Sequence, residues 1–200
     1  MPKRLSVAAL AALPVLLLAG AASAHTGQHD QDGLMAGLLH PVFGLDHLLA
    51  MVAVGAWSAR QGGRAMWAVP AAFVALMAVG GALAGFGVAL PLVEPGIALS
   101  VVLFGALLAL DRRLPMAAGV VLSGVFALAH GQAHGIEMPL AADPVAYGLA
   151  FMLTTAALHA TGALLVLFAV RRFAGLPARW SMRVAGAAVV LAGAGLAAGG

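Results

Sequence analysis

Residues 34–59 read LMAGLLHPVFGLDHLLAMVAVGAWSA. At about 1.5 Å per residue the run is long enough for a bilayer, whose hydrocarbon needs about 20 apolar residues in a helix. Its only formal charge is Asp46, and it carries His40, Asp46 and His47 in its interior with Pro41 and Gly44 between them. Apolar length without a charged face marks a membrane crossing rather than the half-polar helix of a soluble core. The fold class follows: all-α, a polytopic membrane helix bundle.

Five further apolar runs lie outward of it, at about Met66–Leu90, Gly96–Leu110, Pro115–Ala133, Pro144–Val170 and Ser181–Ala198. Residues 34–200 are therefore expected to form a six-helix transmembrane domain. The 200 residues are 63% hydrophobic and 8% charged, whereas a soluble domain carries about a quarter charged residues. No length remains for a separate soluble domain. The absence of cysteine excludes disulfides, thiolate metal sites and cysteine catalysis.

On the amino-terminal side, Met1-Pro2-Lys3-Arg4 precedes an apolar stretch from Leu5 to Ala19 and a small-x-small site at Ala22-Ser23-Ala24. That pattern predicts a cleavable secretory signal peptide over residues 1–24, with an uncleaved anchor as the alternative, in a bacterial envelope protein. Residues 25–33, with His25 and His29, would then form a periplasmic tail. The loops alternate in charge. Arg60 and Arg64 flank the first, Glu94 sits in the second, Arg112 and Arg113 lie in the third, Glu137 and Asp143 in the fourth, and Arg171, Arg172, Arg179 and Arg183 in the fifth. Basic residues stay on the cytoplasmic side, so both mature termini are expected in the periplasm of an inner-membrane protein. The basic balance is a topology signal, and no nucleic-acid partner is expected.

Polar groups inside hydrocarbon ask for a reason, since a charged Asp at a helix centre costs about 2.5–3.5 kcal/mol on insertion scales. His40, His47, His130, His134 and His159 fall in or at the edge of the apolar runs. On a straight helix His40 and His47 share a face but stand about 10 Å apart, too far for one ion. Pro41 removes a backbone donor and Gly44 is pliable. If the helix breaks there, His40, Asp46 and His47 can converge; if it stays straight, they are successive stations. His130 and His134 are i,i+4 neighbours, the spacing at which two imidazoles take one metal. Glu137 can add an oxygen or orient a ring. Gly131 stands where a zincin helix needs its glutamate, so that chemistry is not expected. His159 follows Thr155 by one turn, and His25 and His29, near Asp30 and Asp32, can collect metal weakly. The bland readings are structural histidines, an Asp46 salt bridge, packing methionines and an interfacial belt of Trp57, Trp67 and Trp180.

His40-Pro-x-x-Gly-x-Asp46-His47, followed by Ala50-Met51, resembles the first-span signature of the HupE/UreJ family, and His130-Gly-x-Ala-His134-Gly-x-Glu137 resembles its second motif. Length, signal peptide and six spans match as well; Ala129 departs from the pattern, where an aromatic is expected. The resemblance implies uptake of nickel, sometimes cobalt, in support of hydrogenase or urease maturation, with His40, Asp46, His47, His130, His134 and Glu137 as functional positions. Imidazole and carboxylate donors without thiolate suit Ni(II), Co(II), Zn(II) or Cu(II), and raw affinity ranks copper above nickel, so selectivity must come from geometry or supply. There is no nucleotide-binding motif, so the reading is a secondary transporter, a permease rather than an enzyme, with metal as substrate and no organic cofactor. Donors that bind metal only when deprotonated would link uptake to protons. The expected route is capture by the tail and His130/His134, then handover to His40 and Asp46/His47. Opposed directions of spans one to three and four to six also permit an inverted repeat. Partners would be the lipid bilayer, maturation proteins and other copies of the chain. The alternatives are an intramembrane zinc hydrolase and a metal-binding accessory protein that does not transport.

Overall fold

In a computed structural model the described residues are 33–173 and 176–199. The signal peptide over residues 1–24, and His25 and His29 of the tail, lie outside them. Among the described residues there are seven helices and no strand. They are α1 (Gly33–Phe43), α2 (Leu45–Gln61), α3 (Ala65–Gly85), α4 (Val93–Ala109), α5 (Met116–Ile136), α6 (Pro144–Phe173) and α7 (Leu176–Gly199).

The first apolar run is broken. α1 and α2 meet at an angle of 75° across Gly44. Pro41 sits inside α1 and has no N–H to give to the turn before it, so the helix is already weakened. Gly44 is then extended at φ −75°, ψ 107°. Its N–H still reaches the His40 carbonyl at 3.2 Å, and its own carbonyl accepts from Leu48 N at 2.8 Å to start α2. Asp46 falls in the first turn of α2, where a carboxylate is favoured by the helix dipole. Its Oδ1 accepts from His47 N at 2.6 Å.

Each of the six apolar runs is helical, but their lengths differ. α3, α5, α6 and α7 are long and apolar enough to cross a membrane, and the bent α1–α2 pair makes a fifth candidate. α4 is apolar but has 17 residues, about 26 Å, short of the roughly 30 Å of hydrocarbon. Its borders explain this: Leu92 and Asp111 both adopt positive φ, 58° and 51°. The second run also ends early, at Gly85 rather than Leu90, because the chain turns at Gly87 with φ 74°. Large apolar side chains such as Leu149, Leu153, Leu164 and Phe168 of α6 are exposed, the inverse of a soluble surface and the pattern of a lipid-facing one.

The most extensive helix pairs are α3 with α5, α4 with α7, and α1 and α2 with α6. Two of these crossings are built alike. A Cβ on Gly55 of α2 would run into the His159 carbonyl of α6, and one on Gly162 of α6 into the Val52 carbonyl. A Cβ on Gly131 of α5 would likewise run into the Met77 carbonyl of α3, and one on Gly80 into the Leu128 carbonyl. Small residues here let backbones touch. The contact positions are three residues apart on all four helices. α4 and α7 cross at Gly105 and Gly186. Exchanging the first three apolar runs for the last three maps this set of crossings onto itself.

Between the crossings lies a core of Met51, Val54, Trp57, Phe73, Val101 and Phe104. One end of the bundle is closed around the end of α2. Trp57 Nε1 donates to the Arg112 carbonyl at 2.8 Å, Arg60 pairs with Asp111, and Gln61 Nε2 donates to the Leu114 carbonyl at 2.9 Å. The histidines gather toward the other end.

Candidate metal centre

His130 and His134 lie in the last two turns of α5, and Glu137 caps that helix. Their shared face turns toward the α1–α2 break, which delivers His40 from one side of Gly44 and His47 from the other. Two groups of donors result, with the ligand atoms of each within 4.8 Å of one another. The outer group is His40, His134 and Glu137. His40 Nε2 stands 3.1 Å from His134 Nδ1 and 2.9 Å from Glu137 Oε2, and His134 Nδ1 donates to that same oxygen at 3.0 Å. The His40 and Glu137 side chains are 34% and 46% exposed, so this group forms a mouth. Hydrogen bonds from His134 and then His40 hold the Glu137 carboxyl well below the usual carboxylate range, outweighing partial burial. It stays ionised.

The inner group is His47, His130 and His134, all buried. His47 Nδ1 is 2.9 Å from His134 Nε2 and 3.2 Å from His130 Nδ1. Such spacings suit imidazoles that each stand about 2.1 Å from a common ion. His134 belongs to both groups, with one ring nitrogen in each.

A ring of neighbours holds these imidazoles. His47 Nε2 meets Thr155 Oγ1 of α6 at 3.1 Å, and His130 Nε2 meets Ser100 Oγ of α4 at 2.9 Å. Phe151 packs edge-on against His47 at a centroid distance of 5.0 Å and tilted against His134 at 4.7 Å. Phe73 stands 5.5 Å from His130. Tyr147, Phe151, Thr155 and His159 are all buried and follow one another at four-residue spacing, a stripe readable from the sequence of α6. Ser100 is the lone hydroxyl of its apolar run, and that isolation is the signal that marks it.

The other expected donors lie elsewhere. Asp46 is in neither group; its carboxylate serves the His47 amide at the helix start. His159 sits one turn beyond Thr155, against Phe73 at 5.3 Å, with both ring nitrogens buried and unpartnered. The question of one shared site or successive stations thus has a mixed answer: the backbone does break, yet His40 and His47 join different groups that meet at His134.

The family model described as HupE / UreJ protein matches residues 13–196. The chain is also similar to a protein of Rhizobium leguminosarum bv. viciae named Protein HupE, 47% identical over 187 residues that cover 94% of this chain and 95% of that one. No solved structure matches the chain.

Proposed function

The chain belongs to the HupE/UreJ family, and from that premise we propose that it is a permease carrying a divalent transition metal, nickel or cobalt, from periplasm to cytoplasm. Six crossings with both mature termini periplasmic, and delivery to hydrogenase or urease maturation, complete the reading. The observation that carries it is the place of His134 in two adjoining groups, one half-exposed and one buried. A resident structural metal needs one closed set of donors. Two sets joined by a common ligand suit an ion in passage from the surface inward. The donors are imidazole and carboxylate, compatible with Ni(II) and Co(II), and softer thiolates are absent.

Ni, Co and Zn flux into proteoliposomes, with and without a pH gradient, tests this. Wild type is expected to admit nickel or cobalt, and His134→Ala to lose flux with expression and fold intact. Wild-type flux in His134→Ala would refute the route. The three imidazoles of the inner group also match the donor set of a hydrolytic zinc site. Lipid or amide turnover by the same vesicles, lost in His130→Ala, would favour that second reading.

A further inference from the structure

A neutral imidazole has one N–H and one lone pair, and His134 faces a different group of donors with each nitrogen. Resting on the permease reading, we propose that the two groups are alternatives, so that the chain holds one ion at a time, and that Ser100 and Thr155 are positioning residues that keep the inner group ready to receive it.

The hydrogen bonds assign the protons. Ser100 Oγ lies 2.6 Å from the Ile97 carbonyl, a pure acceptor that takes its one proton, so the oxygen accepts from His130 Nε2 at 2.9 Å. His130 Nδ1 is left with its lone pair turned toward His47. Thr155 Oγ1 has Met77 Sδ at 3.8 Å as the acceptor for its proton and accepts from His47 Nε2. His47 Nδ1 then also faces inward as a lone pair. Glu137 Oε2, a carboxylate oxygen 3.0 Å from His134 Nδ1, accepts, so His134 donates from Nδ1 and Nε2 presents the third lone pair. Without metal, the inner group offers three free donors while His40 and His134 of the outer group both spend N–H groups on Glu137. An ion on His134 Nδ1 requires the proton on Nε2, which removes a donor from the inner group. An ion on Nε2 requires the reverse. Partner groups of this kind typically change metal affinity 10- to 100-fold when removed.

The experiment is equilibrium binding of Ni(II) and Co(II) to the full chain in lipid nanodiscs, with Co(II) absorption reporting the donor set. Wild type is expected to bind one ion per chain. Glu137→Gln leaves the three-imidazole Co(II) bands, and His47→Ala leaves those of the mixed nitrogen and oxygen set. Ser100→Ala and Thr155→Val should weaken binding about 10- to 100-fold and shift the bands toward those of His47→Ala. Ser100→Thr and Thr155→Ser, which keep the hydroxyl, should restore both. Two ions per wild-type chain, or wild-type affinity and bands in both hydroxyl-deleted variants, would overturn the proposal. Binding of no ion by wild type would instead overturn the permease reading on which it stands.

Discussion

His40 and Glu137 touch only the outer group, whereas His47 and His130 touch only the inner one, so their substitutions should fail in different ways. His40→Ala is expected to raise the metal concentration needed for half-maximal uptake and leave the maximal rate closer to wild type. His130→Ala should instead cut the maximal rate, and initial-rate curves in vesicles separate the two. Equal effects on both parameters would contradict the assignment of mouth and interior. Asp46 is a subtler case. Its Oδ1 holds the His47 amide, and Asn keeps an oxygen there while Ala does not, so Asp46→Ala is expected to impair uptake more than Asp46→Asn. Equal loss in both would put the weight on charge instead. Five histidines in or beside apolar runs were legible from the sequence because imidazole in lipid is conspicuous. The partition among them was not legible, since it depends on contacts between residues 94 and 83 positions apart, His40 with His134 and His47 with His130. Ser100 escaped because a hydroxyl that returns its proton to its own helix looks structural until a distant imidazole is found against it.

The break at Gly44 and the glycine crossings place opposite demands on their glycines. Gly44 has negative φ, and the nearest atom to an added Cβ is Asp46 Oδ1 at 3.3 Å. Gly44→Ala should therefore cost little. Pro41 weakens the ladder just before the break, where the His47 N–H turns to Asp46 Oδ1, and Pro41→Ala, which supplies an N–H inside α1, should favour a straighter α1–α2 and lower uptake; normal flux would show that Asp46 and packing on α6 hold the bend without it. Gly131 and Gly55 have backbone where a Cβ would go. Gly131→Ala must push α3 and α5 apart and is expected to lower thermal stability in detergent by well over 1 kcal/mol, the scale of an overpacked core. A melting temperature like that of wild type would mean the crossing can slide. Apolar length revealed each helix in the sequence, and Pro41 with Gly44 showed that a break was possible. Whether it occurs is decided by the tertiary partner. The short α4 was visible as a short apolar run between Glu94 and Arg112, but the early end of α3 was hidden because the positive-φ turn at Gly87 sits in a stretch as apolar as the helix itself.

At the scale of the whole molecule, the widest contact of every helix lies in the opposite half of the sequence: α1 and α2 on α6, α3 on α5, α4 on α7. The two halves are interleaved rather than laid side by side. A chain divided in the α4–α5 connection should accordingly yield fragments that are each degraded when made alone and that recover metal uptake when made together. A first half that accumulates folded by itself, judged by protease resistance, would contradict this. The same interleaving has a consequence in time. Synthesis proceeds from the amino end, so α1 to α4 enter the bilayer with His47 and Ser100 in place but without Thr155, His130 or the glycines that close the crossings. In lipid, no water relieves a polar group that waits, and partners distant in sequence arrive slowly. These four helices must be held as an unfinished assembly until α5 and α6 emerge, and the donor groups come into existence only at that last stage, together with the fold that surrounds them.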